Sequence, residues 1–147
     1  MVGVPDKTVS LTVTGPTREW EDWAYKKRGY CFVVGVDEAG RGPLAGPVVA
    51  ACCYLPEGHA ILGINDSKKL SKEARAHVYQ EIITHPEVFY AAAVIEAEEI
   101  DRINILQATF KAMRLAIDSI EVKADFVLVD GPMGIPKLTL QILSSKK

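Results

Sequence analysis

No run of eighteen or more apolar residues occurs in this chain of 147 residues, so the sequence predicts no membrane-spanning helix and no membrane partner. The stretch from Met1 to Thr14 places Asp6 and Lys7 among short apolar pieces, which is not the basic-then-apolar layout of a secretion signal. Cysteine is scarce. Cys31, Cys52 and Cys53 all lie inside strand-like apolar runs, which reads as reduced core thiols of a cytoplasmic protein and argues against a disulfide or zinc framework. His59, His77 and His85 lack ligand spacing and are read as surface or helix residues. A strong excess of one charge is also missing: the net charge is −2 and the pI about 5.9, which does not advertise a nucleic-acid binder. Two local basic clusters, Lys26-Lys27-Arg28 and Lys68-Lys69-Lys72-Arg75, weaken that exclusion, although such clusters are more often solvated helix faces. Internal repeats and low-complexity tracts are absent, and 147 residues suffice for one core.

What is present concentrates in Val33-Val34-Gly35-Val36-Asp37-Glu38-Ala39-Gly40-Arg41-Gly42-Pro43. An apolar strand-like run from Cys31 to Val36 delivers two adjacent carboxylates, and a glycine-rich turn with one arginine follows. Ionised carboxylates only accept hydrogen bonds, and two side by side are costly unless a cation neutralises them. Mg2+ takes oxygen ligands, usually one or two carboxylates with water and substrate phosphate. Gly40 and Gly42 let the backbone approach a ligand, and Arg41 adds a fixed positive fork. Metal ligands and a phosphate cradle within six residues point to phosphodiester chemistry.

The surrounding pattern predicts an α/β fold. Residues 1–16 form a leader with strand-like alternation that ends at Gly15-Pro16, and residues 17–147 form the domain. Thr17 caps a helix starting at Arg18 and stopping at Gly29. A strand over 30–36 pairs as a hairpin with the apolar run 47–55. Ser71 opens a helix through about Thr84 that His85-Pro86 ends. A strand over 88–96, a short helical turn from Glu98, and an amphipathic helix through about Ser119 come next. Phe126–Val129 is a short strand ending at Asp130-Gly131-Pro132, and 138–143 is a candidate for another. Mixed strands alternating with helices give a central sheet flanked by helices.

Asp130 repeats the local logic of Asp37, an apolar strand ending in a carboxylate before a glycine turn. Carboxylates at the ends of neighbouring strands converge where neither could act alone, so Asp37, Glu38 and Asp130 would form a pocket able to hold Mg2+ or Mn2+. In isolation, Asp-Gly-Pro after a strand is an ordinary turn signal. Lys68 and Lys69 are candidate phosphate contacts, with Asn65 a polar neighbour. Asp66 reads as a loop or capping group, and Glu99 and Asp101 as parts of a helix start.

Asp37–Pro47, Asn65–Ser71, Glu99–Thr109 and Val127–Gly131, taken in that order, resemble the type 2 ribonucleases H and in particular bacterial ribonuclease HII. The resemblance runs from about Glu19 to the C-terminus. It implies a ribonuclease H-like sheet, metal-binding catalytic roles for Asp37, Glu38 and Asp130, and two-metal phosphodiester hydrolysis. It further implies action on RNA/DNA hybrids and on duplex DNA containing ribonucleotides, cut on the 5′ side of the ribonucleotide. Distinguishing RNA from DNA requires sensing a 2′-hydroxyl, which the backbone of Gly40-Arg41-Gly42 can do. Bacterial members continue beyond the position of Lys147 with a further metal-binding aspartate and a stacking tyrosine. The expectation is therefore a sheet incomplete at its C-terminus, and the alternative to an active nuclease is a truncated fragment that binds hybrid without cutting. A nucleotide-binding or phosphotransfer domain ranks far behind, because the chain lacks Gly-Lys-Ser/Thr and a strand-to-helix Gly-x-Gly-x-x-Gly.

Overall fold

The computed structural model describes residues 18–40, 46–64, 69–130, 135–136 and 141–145, with the side chains of 19, 20, 27, 28, 130 and 141–145 left aside. Helix α1 spans Glu19–Arg28, followed by strands β1 (Val33–Ala39) and β2 (Val48–Tyr54), helix α2 (Lys72–Thr84) and strand β3 (Phe89–Ile95). Helices α3 (Ala97–Ile103) and α4 (Ile105–Ser119) precede strands β4 (Phe126–Asp130) and β5 (Gln141–Ser145). Among the described residues the strands form one sheet of five, in the order β3-β2-β1-β4-β5. β1 pairs antiparallel with β2 and β2 antiparallel with β3, while β1–β4 and β4–β5 are parallel. The expected mixed sheet and the β1–β2 hairpin are both present. The leader, residues 1–16, lies outside the described residues.

The two central parallel strands read as continuous apolar runs because both of their faces are covered. Val34 and Val127 are fully buried, and each such side chain is worth about 1.5–3 kcal/mol relative to exposure. On one face α4 lays down a stripe that includes Ala108, Ala112, Met113 and Ala116, packed with Val34, Val36 and Cys52. The alanines of β3 have a reason here. Ala91 and Ala93 pack against that core, and small side chains let a helix lie close to the strand, which propensity alone does not predict. On the other face α1 contributes Ala24 to a smaller cluster with Val33 and Phe126, whose ring stacks on Tyr30 at 4.8 Å. α2 places Val78 against Ile61 and Val88.

Local signals account for most boundaries. Gly29 stops α1 with φ +72, a conformation that favours glycine, and its N–H donates to the Tyr25 carbonyl. Ser71 Oγ caps α2 by accepting from the Ala74 N–H. Asn104 joins α3 to α4: its N–H donates to the Ile100 carbonyl and its Oδ1 accepts from the Gln107 N–H. Two starts differ from expectation. The N-cap of α1 is Arg18, with no side-chain cap, and its guanidinium instead donates to the Leu55 carbonyl. Strand β5 is Gln141–Ser145; it runs two residues past the expected end at 143, and residues 138–140 of the expected strand lie outside the described residues. Cys31 is exposed ahead of β1, while Cys52 is buried and Cys53 half-buried, so only two of the three thiols fit the core reading. Burial pushes the Cys52 and Cys53 thiols up to about 11.

Candidate active site

Parallel pairing of β1 with β4 runs Val33–Phe126, Val34–Val127, Gly35–Leu128 and Val36–Val129. One residue further along each strand stand Asp37 and Asp130. Asp130 is still in β4 and pairs with Ser145 of β5. Neighbouring strands lie about 4.8 Å apart, so the backbone sets the two aspartates at adjacent positions of the sheet. The convergence expected of Asp37 and Asp130 is thus present at the level of strand register.

Asp37 and Glu38 do not follow the strand, as the sequence suggested, but lie within it. Pairing with β2 continues through Asp37–Ala51, Glu38–Ala50 and Ala39–Val49, because the hairpin keeps its ladder past the apolar run. Successive residues of a strand point to opposite faces. Glu38 therefore follows Val34 and Val36 on the α4 side and is half-buried, and Asp37 follows Val33 and Gly35 on the other side and is exposed. Asp37 Oδ1 accepts from the Glu38 N–H at 2.8 Å. The pleat, more than any cation, keeps these two sequence neighbours apart.

Gly40 ends β1 with φ +88, and a Cβ there would sit 2.5 Å from the Pro47 carbonyl oxygen. The close approach that requires a glycine is therefore one made by this chain to itself. Lys69 is exposed, just ahead of α2. Arg41, Gly42, Asn65 and Lys68 lie outside the described residues, as does the side chain of Asp130. Among the described residues no three His, Cys, Asp or Glu side chains form a metal-holding group. The donor chemistry of the Asp37–Asp130 pair nonetheless fits a hard divalent cation: both are acceptor-only oxygen ligands, adjacent by register, and their mutual repulsion favours a shared cation.

One carboxylate escaped the sequence reading. Asp125, just before β4, accepts the Cys31 N–H at 2.7 Å on Oδ2 and the Phe32 N–H at 2.8 Å on Oδ1. Its own N–H donates to the Phe32 carbonyl at 3.1 Å. An aspartate at the mouth of an apolar strand was the available signal. Glu99 does belong to the first turn of α3, as expected, but also accepts from Arg102 Nε at 2.8 Å and Lys111 Nζ at 3.0 Å. Hydrogen bonds from Arg102 and then Lys111 hold its carboxyl down at about 2. Among the described residues no helix is long and apolar enough to cross a membrane.

Known proteins align with this arrangement. Ribonuclease HII of Chlamydia muridarum is 52% identical over 82% of this chain and 57% of its own length. That of Chlamydia trachomatis serovar L2 is 53% identical over 78% of this chain and 54% of its own. The chain thus spans about half the length of the curated relatives it matches. The crystal structure of ribonuclease H2 from Pyrococcus horikoshii superposes with a TM-score of 0.63 at 26% identity, covering 80% of this chain and 63% of that one. The Ribonuclease HII family pattern matches residues 34–145, a stretch that begins in β1 and ends at the close of β5. With that match taking in both aspartate-bearing strands, the chain belongs to the ribonuclease HII family.

Proposed function

We propose that the protein is a metal-dependent endonuclease that hydrolyses the RNA strand of RNA/DNA hybrids and cuts duplex DNA on the 5′ side of an embedded ribonucleotide. The observation that carries this is the β1–β4 register, which makes Asp37 and Asp130 neighbours inside the family-matched segment. Asp37 and Asp130, neighbours by register, are the residues that would hold Mg2+ or Mn2+, whereas Glu38, expected to join them, follows the pleat to the α4 side. When bound, such a cation supplies positive charge for the scissile phosphate and lowers the pKa of its water. The carboxylates would position that charge, and because the attacking group would be the cation's water, no histidine or cysteine nucleophile would be needed. Gly40-Arg41-Gly42 would meet the 2′-hydroxyl through backbone groups, with the Arg41 guanidinium on a phosphate. Asn65, Lys68 and Lys69 would take phosphates along the duplex, a contact whose strength falls as salt rises. The proposal includes service to DNA replication and repair and a cytoplasmic setting, which the free thiols Cys31, Cys52 and Cys53 support.

The test is cleavage, in Mg2+ or Mn2+, of a DNA duplex carrying one ribonucleotide. Expected products end in 3′-hydroxyl and 5′-phosphate at the bond 5′ to the ribonucleotide, and the same duplex with 2′-deoxyribose stays intact. Equal cutting of all-DNA duplex would sink sugar recognition. Undiminished cutting by Asp37→Asn would sink the site.

A further inference from the structure

The apolar runs of β1 and β4 leave their mutual register underdetermined. Val33-Val34-Gly35-Val36 faces Phe126-Val127-Leu128-Val129, with Val33, Val34 and Val36 buried on one strand and Phe126, Val127 and Val129 on the other. The side-chain period of a strand is two, so a slip by two residues returns every side chain to its original face. Parallel ladders are evenly spaced and offer the same hydrogen-bond geometry at each such step. A slip of that size shifts one strand by about 6.6 Å and parts Asp37 from Asp130. Like charge on the two aspartates also pushes toward such a shift when no cation lies between them.

Directional bonds at the opposite end of the ladder work against it. Asp125 takes two consecutive N–H groups, of Cys31 and Phe32, with its two carboxylate oxygens, and its own N–H returns a bond to Phe32. The first ladder pair, Val33–Phe126, follows at once. Phe126 also packs there on Tyr30 and, at 6.0 Å, on Trp23. Ring contacts of that kind bury area but do not select a hydrogen-bond phase, whereas a two-pronged acceptor fits one pair of donors only. We propose that Asp125 is the positioning residue that locks the β1–β4 register and so holds Asp37 beside Asp130. The proposal rests on the nuclease reading for its consequence, though not for its geometry.

The experiment compares the unsubstituted protein with Asp125→Ala, Asp125→Asn and Ile117→Val, the last a core change in α4 that lowers stability while removing none of the hydrogen bonds at the entry of the ladder. All are studied well below their unfolding transitions. Mn2+ affinity is followed by the EPR signal of free Mn2+, and amide hydrogen exchange is compared between the β1–β4 and β2–β3 ladders. Asp125→Ala is expected to bind Mn2+ about tenfold more weakly, since two charge-assisted bonds are lost. Its Val34, Val36, Val127 and Val129 amides should exchange faster while those of β3, such as Ala92, do not change. Asp125→Asn keeps one acceptor oxygen and should fall between. Ile117→Val should leave Mn2+ affinity unchanged. The proposal is overturned if Asp125→Ala matches the unsubstituted protein in both readouts, or if Ile117→Val weakens Mn2+ as much. Absence of Mn2+ binding by the unsubstituted protein would count against the nuclease reading, and the exchange pattern alone would then decide the register lock. Should Asp125→Ala fail to fold, a folded Asp125→Asn with undiminished Mn2+ affinity and unchanged exchange overturns the proposal.

Discussion

The two ends of the β1–β4 ladder treat the same residue type in opposite ways. At the entry, the carboxylate of Asp125 is met by backbone N–H donors of the facing strand, so its acceptor capacity is used within the fold. At the exit, register sets Asp37 next to Asp130, a carboxylate beside a carboxylate, with Asp37 Oδ1 also accepting the N–H of its own neighbour Glu38. A fold gains from the first arrangement and loses from the second unless something positive joins it. Aspartate at a strand terminus is therefore not one signal but two, and the partner strand decides which.

The largest effect should come from separating these ends by mutation. Asp37→Asn is expected to lower cleavage about a thousandfold, the scale on which several kcal/mol of metal-derived stabilisation is felt. In metal-free solution the same substitution should leave stability unchanged or raise it, because one of two neighbouring charges is gone. Asp125→Asn should do the reverse in metal-free solution and lose about 1–3 kcal/mol, as one charge-assisted bond becomes an N–H facing an N–H. Thermal unfolding with and without Mn2+ checks both. Equal destabilisation by the two would break the comparison.

A second, smaller effect tests what the glycine at the exit is for. Gly40→Ala meets both a positive φ and the Pro47 carbonyl oxygen at 2.5 Å, so it should destabilise the metal-free protein by about 1–3 kcal/mol. Retained stability with lost cleavage would assign the glycine to a ligand instead of to the hairpin.

Much of the fold was legible because its signals are local. Ser71 before a helical run, Gly29 after one, and the β-branched run before Asp37 each carry their own cause, and the structure places elements there. The long apolar stripe of α4 needed nothing beyond its period. Partner-dependent facts were not legible. That β1 continues through Glu38 depends on pairing with β2, and the resulting pleat, which sends Asp37 and Glu38 to opposite faces, is invisible in the dipeptide. Cys31 belongs with them: its apolar neighbours suggest a strand, but it lies exposed ahead of β1, where its N–H donates to Asp125. The adjacency of Asp37 and Asp130 was anticipated from two similar strand ends, yet only the register could make it specific.

A third carboxylate supplies the mildest case and a pH handle. Glu99 is satisfied neither by backbone N–H groups nor by a shared cation, but by Arg102 on its own helix and Lys111 on α4. Those partners hold its carboxyl at about 2 against an ordinary 4.5. A carboxyl depressed by folding stabilises the native state above its unfolded pKa, and that contribution is lost as pH falls through the folded one. The window here runs from about 4.5 down to about 2. Glu99→Gln should therefore be slightly less stable than the unsubstituted protein at neutral pH, and the gap should close across that window. Arg102 and Lys111 are solvent-exposed and Glu99 is half-buried, so the gap should also shrink as salt is added. Denaturant melts at stepped pH, at low and high salt, give both slopes. If the gap persisted undiminished at pH 2, the carboxyl would be acting through packing of α3 on α4 and not through its charge, and Glu99 would join Asp125 as a structural acceptor.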